Sequence, residues 1–394
     1  MSWHLGFQQK FIKNLKNKMS LKIPLSQPDI TNSERRAVLG VLKTSWLSLG
    51  PKLEEFEKGI AKYVGVKYAV AVSNGTCALH LITKALNIGK GDEVITTPFS
   101  FVASANCILF ERAKPVFVDI NEKTLNIDPG KIESKITKKT KAILAVDVFG
   151  HPAEWDELKR IAKKYNIYLI EDSAESLGSE YKGKRCGSFG EVAILSFYPN
   201  KQITTGEGGM ILTNNKEIAN LSQSMANQGR KSEGGKWLEH IRLGYNYRMT
   251  EMQAVLGITQ LSRIEGILKK RERVAKMYNE RLGEFSEVEI PYVSSGVKMS
   301  WFVYVVRLSK KYSQRERDKI IKAMARSGIQ CGTYFQPIHL QPFYRKLYNY
   351  KPGDFPICES IGQRTIALPF YNNLKAEEIN YVVKKLKEII VKLK

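Results

Sequence analysis

Apolar and polar positions change their period twice along this 394-residue chain. Between residues 68 and 213, short apolar runs recur: "YAVAV", "EVITT", "PVFVD", "KAILAVDVFG", "IYLIED", "VAILSF" and "GMILT". Stretches with helical spacing, such as "TCALHLITKAL" and "AEWDELKRIAKKYN", lie between them. Strands separated by roughly ten to fifteen helical residues predict βαβ units and a largely parallel sheet. Ahead of them, Thr31 and Glu34 stand at capping-box spacing before "RRAVLGVL" and predict a helix start. From about residue 265 the pattern shifts. A charged helix "RIEGILKKRERVAKMYNERL", a strand "WFVYVVRL" (301–308), a helix near 314–327 and a closing helix after Lys375 predict a smaller α+β domain. The expected organisation is an extension over 1–22, a large domain over 23–265 and a small domain over 266–394.

The extension has its own pattern. Trp3, Phe7, Phe11, Leu15 and Met19 recur every fourth residue, with Lys10, Lys13, Lys16 and Lys18 between them. On a helix this makes one apolar stripe with a basic flank. Three readings stay open: a weak membrane-surface contact through residues 1–18, docking on the body of the protein, or a true start at Met19.

Composition narrows the class. With 43% hydrophobic and 26% charged residues the chain is an ordinary globular one. No segment is long and apolar enough to span a bilayer, and the start lacks a secretory pattern, so a cytoplasmic protein is expected. Five scattered cysteines without a CxxC pair argue against zinc ribbons, redox motifs and a disulfide framework. The five histidines form no HExxH, and no metal site is expected. The net charge of +23 allows an anionic partner: nucleic acid, an acidic membrane or a phosphorylated substrate. The basic residues are spread along the chain as solvated lysines, so nucleic-acid binding is not expected. Cys77, Cys107 and His80 sit in apolar helical runs and read as packing residues, while His151 and His240 have no partner the sequence names.

Three strand ends carry chemistry. In "AVSNGTCALH" a strand ends at Val72 and a helix begins near Thr76. The free N–H groups of a helix start, with Gly75 for close approach and the Thr76 hydroxyl, make a phosphate cradle. In "LIEDSAESLG" a strand delivers Glu171 and Asp172 to the edge where ligands sit in open α/β sheets. Asp172 reads equally well as a helix N-cap. In "ILSFYPNKQITTGEGGMILT", Lys201 lies between a buried strand and a Gly-rich turn, where burial lowers an amine's pKa and frees it as a nucleophile. Asp147 ends a further strand and reads either as a structural cap or as a residue behind the site. Together the cradle, the acid and the lysine meet the demands of pyridoxal phosphate (PLP): donors for the phosphate, an acid for the ring nitrogen and an amine for the aldehyde. Phe101, after "EVITT", offers a face for the ring to stack on.

Six stretches carry a resemblance: "SNGTCALHL", "PFSFVASAN", "EDSAESLGSEYKGKRCGSFG", "SFYPNKQITTGEGGM", "LGYNYRMTEMQAVLG" and "FQPIHLQPFY". From about Ile23 to its end the chain resembles the DegT/DnrJ/StrS sugar aminotransferases, which have the type I aspartate-aminotransferase-like fold. The "TTGEGGM" and "GYNYRMT" stretches are similar to those of the perosamine-synthase branch. The resemblance implies that Lys201 joins the cofactor aldehyde and Asp172 pairs with the ring nitrogen. It implies that Glu175 lies by the ring hydroxyl and Phe101 on the ring, while Gly75, Thr76 and Ser196 hold the phosphate. Asn246 is implied to reach the phosphate of a neighbouring subunit, hence a homodimer with shared sites, and His339 to face the sugar. The implied reaction moves an amino group from glutamate to C4 of a nucleotide-diphosphate-linked keto sugar, for surface-polysaccharide synthesis. The chain departs from many relatives in reading Glu175 where they have glutamine. Family dehydratases replace the lysine with histidine; this chain has Lys201. A nucleic-acid-binding protein and an ordinary amino-acid aminotransferase, with an arginine clamping the substrate carboxylate, are the other readings.

Overall fold

The computed structural model describes residues 22–231, 236 and 239–393. Residues 1–21, on which the amphipathic stripe falls, lie outside them. The main sheet is built from β1 (Tyr68–Val72), β2 (Glu93–Thr96), β3 (Lys114–Phe117), β4 (Thr140–Val146), β5 (Tyr168–Asp172), β8 (Val192–Ser196) and β9 (Gly209–Thr213). The short pair β6 (Glu180–Tyr181) and β7 (Lys184–Arg185) lies apart, joined to β11 (Val297–Lys298). Spatial order in the main sheet is β1-β9-β8-β5-β4-β2-β3.

All seven apolar runs became strands, and six point one way. The exception is β9, antiparallel to both β1 and β8. The reason is local: residues 197–208 between β8 and β9 contain no crossover helix, and without one a following strand returns antiparallel. Both faces of the sheet are buried, as helix-covered sheets require. Alternate residues of each strand therefore feed opposite cores: Ala142, Leu144 and Val146 pack into one, Ile143 and Ala145 into another.

The second sheet is antiparallel, with β10 (Val288–Glu289), β12 (Tyr304–Leu308) and β13 (Thr365–Leu368) in the order β10-β12-β13. Helices Gln314–Arg326 and Ala376–Val391 pack beside it, and Ile264–Leu282 leads into it. The predicted strand over 301–308 begins only at Tyr304, because Trp301 adopts a left-handed φ of 56°. The capping box at Thr31 and Glu34 forms as its spacing predicts. Among the described residues no helix is long and apolar enough to cross a membrane.

Glu57 is held beneath β1, where its Oε1 accepts the Ala71 N–H at 2.8 Å. Burial pushes its pKa up to about 7. A carboxyl raised on folding stabilises fully below its unfolded value of 4.5, and that stability is lost as pH rises through about 7. The loss is on the order of 3 kcal/mol. Glu57→Gln keeps the acceptor and removes the titration, so its melting temperature is expected to fall less between pH 5 and 8 than the wild type's, in thermal melts of both proteins.

Candidate active site

The carboxyl ends of β1, β8 and β5 converge on one edge. Because β9 runs backward, its first residue, Gly209, sits on that edge between Val72 and Ser196, in register with both. A Cβ on Gly209 would lie 2.4 Å from the Asn74 carbonyl oxygen, so only glycine lets the turn after β1 lie down over β9. Gly75 then opens the Gly75–Ala85 helix, capped by the Asn74 side chain, which accepts the Cys77 N–H at 2.9 Å. A Cβ on Gly75 would lie 3.0 Å from the Ser196 Cβ. Gly75 and Ser196, 121 residues apart in the numbering, thus lie against each other at a helix N-terminus, and the free N–H groups of such an end suit a phosphate. Thr76, half-buried, is beside it.

Asp172 ends β5 and is 3% exposed. No helix follows, so the N-cap reading is corrected: Oδ1 accepts the Ala174 N–H at 3.2 Å within a turn. Oδ2 accepts from the Ser104 hydroxyl at 2.7 Å, and Ser104 Oγ lies 2.9 Å from Ser100 Oγ. Burial raises the Asp172 pKa, opposed by these donors and by the charge of Lys201.

Lys201 sits in the loop between β8 and β9. The loop is pinned by Thr205 N–H and the Thr204 hydroxyl, both donating to the Phe197 carbonyl, and by the Gln202 amide, which donates to the Glu175 carbonyl and the Ser300 hydroxyl. Lys201 Nζ lies 3.7 Å from Glu175 Oε1 and 3.9 Å from the centre of the Phe302 ring. Burial lowers its pKa; the charges of Glu175 and Asp172 pull the other way. Glu175 is buried too, which raises its pKa, and its Oε2 accepts the Phe149 N–H at 2.8 Å. The lysine and the two acids therefore share one electrostatic site.

Behind it lies a second acid pair. Asp147, Glu171 and Cys186 bring ligand-type atoms within 4.8 Å of one another. Every carboxylate oxygen already accepts a protein donor. Asp147 takes Ala153 N–H, the Trp155 indole and the Ser173 and Ser176 hydroxyls; Glu171 takes Gly187 N–H, Phe189 N–H and the Ser173 hydroxyl. Burial pushes the Asp147 pKa well up, with the Glu171 charge adding to it. The Asp147 side chain caps no helix; it lies behind the site, with its N–H donating to the Asp172 carbonyl at 3.1 Å.

Phe101 is 62% exposed and lines an open cleft of about 1000 Å³ with Ser100, Asn106, Tyr334, Phe335 and Phe343. Asn246 is exposed, in a backbone bridge to Asn227. His339 is a correction. It has no exposed side-chain surface, its Nε2 lies 3.0 Å from Glu359 Oε1, and Phe355 and Tyr350 enclose it. Its neighbours Ile338 and Gln341 line the cleft and it does not. Pro337 starts a 3-10 turn here, and that turn aims His339 into the core. The other described histidines are also bonded: His80 to Glu111 at 2.8 Å and the Tyr247 hydroxyl at 3.1 Å, His151 to Ser294, His240 to the Gln228 carbonyl.

Sequence reasoning missed Ser104, Gln202, Gly209 and Phe302. Only Gly209 had a local signal, the Gly-rich turn. Ser104 and Phe302 come from segments remote in sequence, and Gln202, next to Lys201, is tied to the remote Glu175 and Ser300.

The residues fit PLP: a glycine at a helix N-terminus, a buried acid and a largely buried amine face one edge. A model of the DegT/DnrJ/EryC1/StrS aminotransferase family matches residues 28–387. An uncharacterized protein of Methanocaldococcus jannaschii is 42% identical over 93% of this chain and 97% of its own. A GDP-perosamine synthase of Caulobacter vibrioides is 38% identical over 94% and 99%. The solved structure of Spr1654, a putative sugar aminotransferase of Streptococcus pneumoniae in its PMP form, superposes with a TM-score of 0.90 at 29% identity, covering 95% of this chain and all of the other. The aspartate-aminotransferase-like architecture and the catalytic class follow together: the chain belongs to the DegT/DnrJ/EryC1/StrS aminotransferase family, as a PLP-dependent sugar transaminase.

Proposed function

We propose that the protein transfers an amino group from glutamate to C4 of a nucleotide-diphosphate-linked keto-deoxy sugar, working as a homodimer. The observation that carries this reading is Lys201 Nζ, 3.7 Å from Glu175 and within the field of Asp172, on the edge that holds Gly75 and Ser196. The similarity to a GDP-perosamine synthase favours a nucleotide sugar and the 4-position. The division at residues 265 and 266 is kept, with the first part holding the cofactor. Both substrates are charged metabolites that do not cross membranes unaided, so the reading places the enzyme in the cytoplasm.

When bound, the cofactor supplies a ring that takes up the electron pair released as the C–H bond beside the amino group breaks. Gly75 and Thr76 N–H groups and the Ser196 hydroxyl hold its phosphate, and Phe101 covers a ring face. Lys201 is the residue that would carry the aldehyde, and its amine, when free and uncharged, would accept the donor's proton and hand it back. Its lowered pKa favours that uncharged form. Asp172, oriented by Ser104 and Ala174, keeps a proton on the ring nitrogen. Burial raises the Glu175 pKa, which would favour a proton shared with the ring oxygen and so accommodate glutamate where relatives have glutamine. His339 takes no part.

Two observations support the dimer. Leu42, Trp46, Leu49, Ile241 and Leu243 are large apolar side chains left between 45% and 71% exposed. No described residue lining the cleft beside Phe101 is charged. A diphosphate laid there takes its cations from a second copy, which also brings Asn246 to the cofactor phosphate.

The test is a panel of GDP-, UDP- and dTDP-linked 4-keto and 3-keto sugars with glutamate, read by product mass. A 4-amino product from one carrier is expected. Amination of free amino-acid keto acids alone would sink the sugar reading.

A further inference from the structure

Arg271 is a buried cation with no carboxylate among its hydrogen-bond partners. It projects from the Ile264–Leu282 helix and is 4% exposed. Its Nε donates to the Trp301 carbonyl at 2.7 Å. One terminal nitrogen donates to the Asn372 side-chain carbonyl at 2.8 Å, and the other to the Phe302 carbonyl at 2.7 Å. The Asn200 carbonyl, on the residue before Lys201, lies 3.5 Å from that last nitrogen. Burial lowers its pKa to about 10, so it stays charged at neutral pH. A buried charge is costly to keep, and a neutral side chain of similar shape is the cheaper filler. The question is what the charge and its fork accomplish here.

They hold the wall against which Lys201 rests. Trp301 has φ 56°, a left-handed conformation that bulky residues rarely adopt. Arg271 takes its carbonyl, and the next residue on the helix, Glu272, takes its indole N–H at 2.6 Å. This turn delivers Phe302, whose ring lies 3.9 Å from Lys201 Nζ. One guanidinium thus joins the Phe302 backbone, on one side of the lysine, to the Asn200 carbonyl at its root.

We propose that Arg271 is a positioning residue for Lys201, gripping Trp301 and Phe302 so that the lysine amine is held against the Phe302 ring with a second fixed cation nearby. The proposal rests on the reading of Lys201 as the residue that carries the cofactor. A fixed cation also disfavours the protonated amine. Burial is the main reason the Lys201 pKa is lowered, and the Arg271 field acts in the same direction, against Glu175 and Asp172. The four donors of Arg271 described here face carbonyls, so this residue does not serve as a carboxylate clamp for substrate.

The experiment uses full-length holoenzyme: wild type, Arg271→Met and Arg271→Lys. Three quantities are read: the pH midpoint of the cofactor absorbance, kcat with KM for both substrates, and the melting temperature. Arg271→Met is expected to move the midpoint upward by roughly half a pH unit or more, because a cation has gone. Its kcat is expected to fall roughly tenfold or more with KM little changed, since the lysine and not the substrate is misplaced. Arg271→Lys is expected to return the midpoint toward wild type but not the rate, since lysine keeps the charge and loses the fork. A wild-type midpoint in Arg271→Met, whatever its melting temperature, overturns the proposal. If Arg271→Met does not fold, Arg271→Lys decides: a kcat reduced at unchanged KM supports the proposal, and a wild-type kcat overturns it. Borohydride treatment of the same wild-type sample separates the two levels. Absence of cofactor fixed on Lys201 would end the reading of the site itself; cofactor fixed there with an unmoved midpoint ends only the role of Arg271.

Discussion

Replacing Lys201 by alanine is expected to lower turnover by at least about 10⁴-fold, because one side chain both anchors the cofactor and moves the proton. The structure explains why no neighbour substitutes. The groups that share its site, Glu175 and Asp172, are acids committed to Phe149 N–H, Ser104 and Ala174 N–H. The Arg271 donors are taken by carbonyls. The variant should still fold, since Lys201 contributes an amine seated on a ring and not a core side chain, and the cradle at Gly75 should still bind the cofactor weakly. Single-turnover assays with product mass, together with borohydride treatment, check this. Wild-type transamination by purified Lys201→Ala would remove the central assignment.

The second large effect is expected at Asp172. Asparagine keeps the shape and accepts from either Ser104 or Ala174, but it carries no charge to hold a proton on the ring nitrogen. Loss of one such preorganised electrostatic contact costs on the order of 10²- to 10³-fold in kcat. Stability should move the other way. Asp172 is a carboxyl whose pKa burial raises, so replacing it with a neutral amide relieves a desolvation cost in the empty protein. Asp172→Asn should therefore melt at or above the wild-type temperature while turning over far more slowly. A variant that is slow only because it is unstable would contradict the role given to the carboxylate.

The strands were legible because each is a short apolar run, and Asp172, Gly75 and Lys201 drew attention because they stand at or just beyond the ends of such runs; Ser196 entered only through the resemblance. Strand order was not, since pairing β9 between β1 and β8 depends on contacts across about 140 residues of chain and on the absence of a crossover helix. The support around the site was least legible. Ser104 reaches Asp172 across 68 positions, Arg271 reaches Phe302 across 31, and serine and arginine are ordinary on helices. His339 shows the opposite failure. The motif around it lines the cleft, but the backbone turn at Pro337 sends this one side chain inward to Glu359.

The reversed direction of β9 has a mechanical result. The segment bearing the lysine leaves the sheet at Ser196 and re-enters it at Gly209, two positions paired with each other. A span stapled at both ends to the same rigid layer has no hinge about which to swing. Gating of substrate entry must then fall to other parts of the molecule, and amide hydrogens at residues 197 and 205 should exchange about as slowly as those of the strands that frame them.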